Sequence, residues 1–393
     1  MPYPDRKILY VQYAPPGVYP PIERSAWLFK KNGWQVDFLG IRAIGSSRNL
    51  TPTMHSESHV EYLVHEPGGW RALRSYFRFW LRAFRRAQLE KPDVVYVSDS
   101  IWTYPAGLLI ALMTPALTIM HEHDTPLDHS TRMMRFLQAA RRQFARKADL
   151  LINPQLDRAR DMAELAGGRE VVVVLNCPSL EELSRTLSFE DKPHGLVLWH
   201  HGSLNSLRMP LTILDALAQL PPDVTLEFAG YETVNSEGFV DSFLARAAEL
   251  GISDRVVFHG ALKRDLLYSR ANQAHVGLSV FVQKFVEPMV GASNKPFDFL
   301  GCNMALLVND TTEWHDFAVV RKIALPCDPT DSTSIARAIE KLYHDRKQLR
   351  QMADRGRTLV ETEWNYEAQF APVLDRIEML LGHGPRRDAH SRT

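Results

Sequence analysis

The sequence predicts an α/β protein built from two doubly wound parallel sheets. Three observations carry that expectation. The chain has 393 residues, about twice the usual size of a single domain, so two domains are expected. Short apolar runs of strand length alternate with stretches of helical period from one end to the other. The alternation breaks once, at Asn176-Cys-Pro178 and the polar, mixed residues 179 to 194, which divides it into two series.

The first series opens with a buried-strand run, Ile8 to Tyr13. An amphipathic helix from Ile22 to Asn32 follows, ended by Gly33, and then a second strand, Gln35 to Leu39; together they make a βαβ unit. Trp70 to Glu90 reads as a long helix, Val94 to Ser98 as a strand after Lys-Pro-Asp, and Ala116 to Met120 as a strand leading into His121-Glu-His-Asp124. Thr131 to Lys147 is helical, Leu150 to Asn153 a short strand and Val171 to Leu175 a strong one. The second series runs from strand Leu196 to Trp199 through helix Met209 to Leu220, strand Thr225 to Ala229, helix Val240 to Leu250, strand Val256 to Phe258, helix Asp265 to Ala271 and strand Val276 to Ser279. Helices Ile335 to Tyr343, Lys347 to Thr362 and Tyr366 to Leu381 close the chain. The domains are therefore placed at 1–180 and 195–365, with a linker at 181–194, a last helix at 366–381 and a polar, basic tail at 382–393 that reads as disordered. Two facing parallel sheets would bind ligands at the carboxyl ends of their strands, in a cleft between the domains.

Composition removes several classes of function. Basic and acidic residues balance at 46 each, which argues against a dedicated nucleic-acid binder. Cys177, Cys302 and Cys327 are odd in number and far apart, without CxxC spacing, so neither a disulfide framework nor a structural zinc site is indicated and a reducing cytoplasm fits. No uninterrupted run of 18 apolar residues occurs, and the N-terminus opens directly on a strand, so neither a spanning helix nor a signal peptide is expected.

The most informative stretch is 291 to 310. Gly291-Ala-Ser-Asn294 is a small, flexible loop running into a short helix that begins at Lys295, so backbone N–H groups and an ammonium converge where a phosphate would fit. Asp298 lies one turn on, placed to accept from a sugar or ribose hydroxyl, and Met304 to Val308 reads as a buried strand. An ordinary helix with a Lys–Asp surface pair is the alternative for this segment alone.

In order and spacing, several segments of the second half resemble the family 4 glycosyltransferases, the large retaining group with the GT-B fold of two Rossmann-like domains. They are Leu198-Trp-His-His-Gly202 followed by Arg208, Phe228-Ala-Gly230, Val256-Val-Phe-His-Gly260, Asn294-Lys-Pro-Phe-Asp-Phe-Leu-Gly301 and the Trp364-Asn-Tyr366 start of a last helix. The resemblance covers residues 195 to 381 well and the first half more loosely. It implies that the donor is a nucleoside-diphosphate sugar, with Gly202, Gly260, Gly291, Ala292, Ser293, Asn294 and Asp298 as donor-binding residues. Arg208 and Lys295 would face the diphosphate, an Arg suiting that place because its planar fork binds phosphate oxygens in pairs. His121, at the carboxyl end of its strand, matches a histidine that reaches the donor sugar, and His123 is a second residue for the cleft. Two positions depart from the family pattern. Its Glu-x7-Glu pair has Val290 at the first carboxylate, leaving Glu287 as the nearby substitute, and its N-terminal glycine loop reads Ala14-Pro-Pro-Gly-Val18, leaving Gly17 for the diphosphate.

His121-Glu-His-Asp124 has metal-ligating residue types but not the HxHxD spacing of hydrolases, and its histidines are either cleft residues or hydrogen-bonded structural ones. The chain has no Asp-x-Asp, so no metal or other cofactor is expected. The stretch 70–86 carries six aromatics and six arginines with hardly any acid, the make-up of a helix attracted to an anionic membrane surface; packing on the first sheet with the basic face in water is the alternative. The basic helix at 132–147 reads as solvated. The expected activity is metal-independent transfer, with retention, of a hexose to a glycan, lipid-linked or small-molecule acceptor held by the N-terminal domain, in the cytoplasm or at the inner face of a membrane. A nucleotide-sugar 2-epimerase of the same fold and a non-catalytic sugar-nucleotide-binding partner are the alternatives.

Overall fold

The computed structural model describes residues 6–15, 19–42, 59–98, 101–124, 131–183, 187–232, 236–282 and 290–382. Gly17, Glu287 and the tail from 383 onward lie outside them. The chain divides into two compact units, Met1–Asn176 with Gln369–Thr393, and Cys177–Ala368.

Among the described residues, unit 1 holds a seven-stranded sheet of β1 (Lys7–Gln12), β2 (Gln35–Ile41), β3 (His59–Leu63), β4 (Val94–Ser98), β5 (Leu117–His121), β6 (Leu150–Asn153) and β7 (Val172–Val173). The spatial order is β3-β2-β1-β4-β5-β6-β7, parallel throughout, so the chain reverses its direction of winding between β1 and β4. Ile8 to Val11 and Val94 to Val97 are fully buried, as parallel strands covered on both faces must be. One face packs Leu9, Val11, Val95, Val97 and Met120 against α2 (Gly69–Glu90), α3 (Tyr104–Met113) and α4 (Arg132–Lys147). On the other face Tyr10 stacks on Tyr96 and Phe38 and meets Phe29 of α1 (Pro20–Lys31) edge-on. A further helix, α5 (Leu156–Leu165), leads to β7.

Unit 2 holds β8 (Leu196–Leu204), β9 (Val224–Glu232), β10 (Val256–Phe258), β11 (Val276–Ser279), β12 (Ala305–Asn309) and β13 (Ala324–Cys327), in the order β10-β9-β8-β11-β12-β13 and again parallel. Its core joins Leu198, Leu226, Phe228, Leu278 and Leu307 to α6 (Thr212–Leu217), α7 (Phe239–Glu249) and α11 (Ser332–His344). Chain order adds α8 (Arg264–Ala271), α9 (Lys295–Gly301), the single turn α10 (Thr312–Trp314) and α12 (Arg346–Thr362). Close backbone approach fixes α9. A Cβ on Gly277 of β11 would lie 2.4 Å from the Phe299 ring, and one on Gly356 of α12 2.3 Å from Leu300. The last helix, α13 (Tyr366–Gly382), is capped by Asn365, whose side chain accepts from Ala368 N at 2.8 Å. From Gln369 on it belongs to unit 1, where Phe370 meets Phe29 edge-on and Glu378 pairs with Arg6 at 2.6 Å.

The two winding series, the strand–helix alternation and the last helix match the sequence reading, but several elements do not. Strands β3 and β13 and helices α3, α5 and α10 have no counterpart in it. Helix α3 reads Tyr-Pro-Ala-Gly-Leu-Leu-Ile-Ala-Leu-Met, apolar all round, so no helical period shows. Strand Val171 to Leu175 shrinks to Val172–Val173, because it is an edge strand pairing only with Ile152 and Asn153 at the end of β6. Helix Met209 to Leu220 begins only at Thr212, since Asn205 first holds a turn by accepting from Leu207 N and Arg208 N, each at 3.1 Å. The segment read as a linker packs on unit 2: Lys192 is buried and donates to the carbonyls of Asn272, Ala274 and Cys302, and burial pushes its amine down to about 8.

Candidate functional site

The doubly wound order of unit 2 reverses between β8 and β11, and a pocket lies at the carboxyl ends of those strands and of β12. Its lining brings together residues far apart in sequence: His200 from β8, Arg208 from the turn after it, Ser279 and Phe281 from the end of β11, Ser293 and Lys295 from the start of α9, and Asn309, Thr311 and Glu313 from the end of β12. The walls are tied to one another. Phe281 N donates to Asn309 Oδ1 at 2.8 Å, Asn309 Nδ2 returns a bond to Phe281 O, and Val290 N donates to Glu313 Oε1 at 2.8 Å. The Arg208 guanidinium lies 5.8 Å from the Phe281 ring centre.

Lys295 crosses this space to reach His200, Nζ to Nε2 at 3.4 Å. The contact settles the imidazole's tautomer. Leu278 O, 3.2 Å from Nδ1, can only accept, so Nδ1 carries the proton and the Nε2 lone pair faces the lysine. Burial, then the Lys295 and Arg208 charges, hold His200 well below its ordinary 6.5 and so keep it neutral. Burial first and Arg208 second push the Lys295 ammonium well below 10.5. Two basic side chains thus converge in one pocket, an arrangement that suits an anion.

Gly202 makes the crossing possible. Its φ is +106°, and a Cβ there would lie 2.9 Å from Lys295 Cε. Gly202→Ala is therefore expected to strain the end of β8 and displace the ammonium, lowering turnover about tenfold with the fold retained, on the scale of roughly 1–3 kcal/mol for a forced backbone conformation. Steady-state rates beside a thermal melt decide it; unchanged rates would show that Lys295 is not held through this gap. Gly230 and Gly260 serve the same strand end from behind: Gly230 N donates to Gly260 O at 2.9 Å, and a Cβ on Gly230 would lie 1.8 Å from Gly202 O.

Asp298 has a different position from Lys295 although they share α9. It does not line the pocket. Tyr268 O–H donates to its Oδ1 at 2.8 Å, and His201 Nε2 lies 3.3 Å from its Oδ2. Trp199 Nε1–H donates to His201 Nδ1 at 2.9 Å, which leaves the His201 proton on Nε2, pointing at the carboxylate. The resulting Trp199–His201–Asp298–Tyr268 chain locks α9 to β8 and α8. Gly260, Gly291, Ala292 and Asn294 also lie outside the lining; Gly291 has φ +88°, and Asn294 O accepts from Asp298 N at 3.0 Å. Of the residues expected at the donor, Arg208, Ser293 and Lys295 meet in the pocket. His200, Asn309, Thr311, Glu313 and Trp314 line it too, beyond the residues expected from sequence. For His200 a signal existed in Trp-His-His-Gly, two residues before the glycine; for the residues after β12 none did.

In unit 1, His121 ends β5 fully buried, its Nδ1 2.6 Å from Tyr96 Oη and its ring 3.8 Å from that of His123, which in turn stacks on Tyr19. Burial holds both imidazoles neutral, His123 down at about 3 and His121 well below 6.5. Glu122 between them belongs to a different partnership: Arg141 binds both its oxygens, Nε to Oε2 at 2.6 Å and Nη2 to Oε1 at 2.7 Å, and Tyr104 O–H donates at 3.0 Å. Among the described residues no group of three or more His, Cys, Asp or Glu is placed to hold a metal.

Comparison with known proteins bears on both units. Residues 25–178 match the family described as Glycosyl transferase 4-like domain, and residues 210–375 the one described as Glycosyl transferase-like. No curated protein matches the chain in sequence. Among solved structures, Anabaena HepE in complex with UDP is similar over 95% of this chain and 100% of that one, at 16% identity and TM-score 0.72; HepE has also been solved with UDP-glucose. Sucrose-phosphate synthase from Thermosynechococcus elongatus is similar over 97% and 100% at 12% identity and TM-score 0.71. A glycosyltransferase from Rickettsia africae follows over 96% and 99% at 11% identity and TM-score 0.72. The shared architecture is the GT-B fold.

Proposed function

The chain is a glycosyltransferase of family 4, and from that premise we propose that it uses a nucleotide-sugar donor and transfers a hexose from a uridine diphosphate sugar, with retention, to an acceptor bound by unit 1. The observation that carries this reading is the convergence of Arg208 and Lys295 in one pocket at the β8/β11 reversal. Complexes of the similar HepE with UDP and UDP-glucose support the choice of donor. As the bond between the anomeric carbon and the diphosphate oxygen breaks, negative charge grows on the leaving group, and the two cations stabilise it more than they stabilise the intact donor. The acceptor oxygen bonds to the anomeric carbon on the face the diphosphate leaves, and its proton passes to the departing diphosphate. Unit 1 supplies the acceptor site, with His121 at the carboxyl end of its sheet. Asp298 positions α9 and through it Lys295, and Gly17 and Glu287 remain assigned to the donor by resemblance.

Uridine diphosphate release from a panel of nucleotide sugars, with and without candidate acceptors, tests this reading; absence of turnover from every uridine donor would overturn it. On this reading Arg208 and Lys295 neutralise the leaving diphosphate in place of a divalent cation. Activity is expected to persist in excess EDTA, and a complete loss restored by manganese or magnesium would refute metal independence.

The acceptor is presented at an anionic membrane surface. Support for this comes from α2, which carries Arg71, Arg74, Arg78, Arg82 and Arg85 on its exposed side while Phe79, Trp80, Ala83 and Ala87 enter the core. The same helix thus packs part of its aromatic face on the sheet and keeps its arginines in solvent. Among the described residues no helix is long and apolar enough to cross a membrane, so attachment would be peripheral.

A further inference from the structure

Helices α2, α3 and α4 lie side by side on unit 1 and leave an open groove between them. Phe77, Trp80, Leu81 and Phe84 form one wall, Pro105, Leu108 and Leu109 of α3 the floor, and Phe136 and Ala139 of α4 the other wall. Gln143 is the one polar side chain among its lining. The Trp80 indole N–H is already used, donating to Trp102 O at 2.6 Å, so what it shows the groove is its ring. Phe77, Leu81, Leu109 and Phe136 are 59%, 48%, 39% and 51% exposed, a contiguous apolar surface and not scattered single residues.

Charge surrounds it with one sign. The three helices carry a single acidic residue, Glu90, at the far end of α2. Arg82 is engaged by Glu61 and Arg78 lies 4.0 Å from Glu66, but Arg71, Arg74, Arg85, Arg132, Arg135 and Arg142 are exposed with no carboxylate partner among the described residues. Helical spacing sets Arg74 and Arg85 beside Phe77 and Leu81, and Arg132 and Arg142 beside Phe136 and Ala139.

These observations select the occupant. A second copy of the chain would bring two arginine rims together, and like charges oppose that. A peptide would need partners for its backbone N–H and C=O groups, and the lining offers almost none. A hydrocarbon chain needs none, and an anionic headgroup at its end would meet the guanidinium groups. We infer that the groove takes an acyl chain of an anionic bilayer lipid, seating unit 1 in the membrane instead of merely on it. This rests on the reading that α2 meets an anionic membrane surface, and the test separates the two.

Full-length protein is mixed with vesicles of phosphatidylglycerol whose acyl chains carry bromine, and tryptophan quenching is read beside co-sedimentation. Quenching is expected, and Trp80→Phe should remove a large part of it while exposed Trp70 stays in place as a surface reporter. Leu81→Asp with Leu109→Asp, both at half-exposed positions, should abolish the Trp80-dependent quenching and lower vesicle affinity at least tenfold, with the thermal melt and donor hydrolysis by unit 2 unchanged. Co-sedimentation in which neither Trp80→Phe nor the aspartate pair alters quenching would overturn the groove and leave the surface reading standing. No co-sedimentation at low salt would overturn both. Equal quenching by brominated phosphatidylcholine would remove the anionic headgroup from the proposal.

Discussion

Lys295→Ala and Arg208→Ala are each expected to remove about 2–4 kcal/mol of transition-state stabilisation, roughly a 30- to 1,000-fold loss in kcat/KM. Each loss follows from position. Both side chains line one pocket, and Lys295 is buried deeply enough that its ammonium is held well below the ordinary lysine range. On the proposed reading the leaving diphosphate supplies the opposing charge, so the interaction grows as the reaction proceeds and the deficit should fall on kcat as well as on KM. The pH profile carries a second signature. If the protonated amine is the active form, activity is present below the depressed Lys295 value and lost as pH rises through it, earlier than a lysine at 10.5 would allow. Steady-state kinetics of purified variants decide the matter: wild-type turnover from both single variants would remove them from the site.

Glu122→Ala is expected to cost about 3–5 kcal/mol of folding stability, because it leaves the Arg141 guanidinium buried without its anion. Few single changes in this chain should cost more. The pair is bidentate, Tyr104 adds a third bond, and the side chains are 10% and 1% exposed, so solvent screens little. Denaturant titration of unit 1, followed by circular dichroism, gives the number. Replacing the pair together, Glu122→Leu with Arg141→Met, should recover most of the loss, since two matched apolar side chains leave no charge behind. A single variant as stable as the wild type would show the ion pair to be incidental. Zinc or manganese added to the wild type should leave its midpoint unmoved, which distinguishes a structural carboxylate from a ligand in His121-Glu-His-Asp124.

Legibility differed between the parts of the candidate site. Arg208 and Lys295 could be placed from a glycine six residues before the one and a small-residue loop before the other, since both spacings are local. Asp298 could not. Its spacing of three from Lys295 puts the two on neighbouring parts of one helix face, but one turn apart along the axis they meet different neighbours: Lys295 reaches His200, and Asp298 meets Tyr268 and His201. Membrane attachment shows the same limit. The basic aromatic pattern of α2 was plain, but the apolar groove needs α3, which has no amphipathic period, and α4, whose arginines had read as a solvated face.

The sequence by itself determined the two βαβ series, the strand–helix alternation, the break near 177 and the two basic residues that meet in the unit 2 pocket. Each is set by neighbours within a few turns of chain, through side-chain period, glycine and proline. Only the tertiary structure decided the strand orders that create the β8/β11 reversal, the tautomer of His200, the burial of Asp298 30 and 97 residues from its partners, and the three-helix groove. Those depend on which surfaces meet once apolar area is buried, and the periodicity of one segment carries no record of what packs against it.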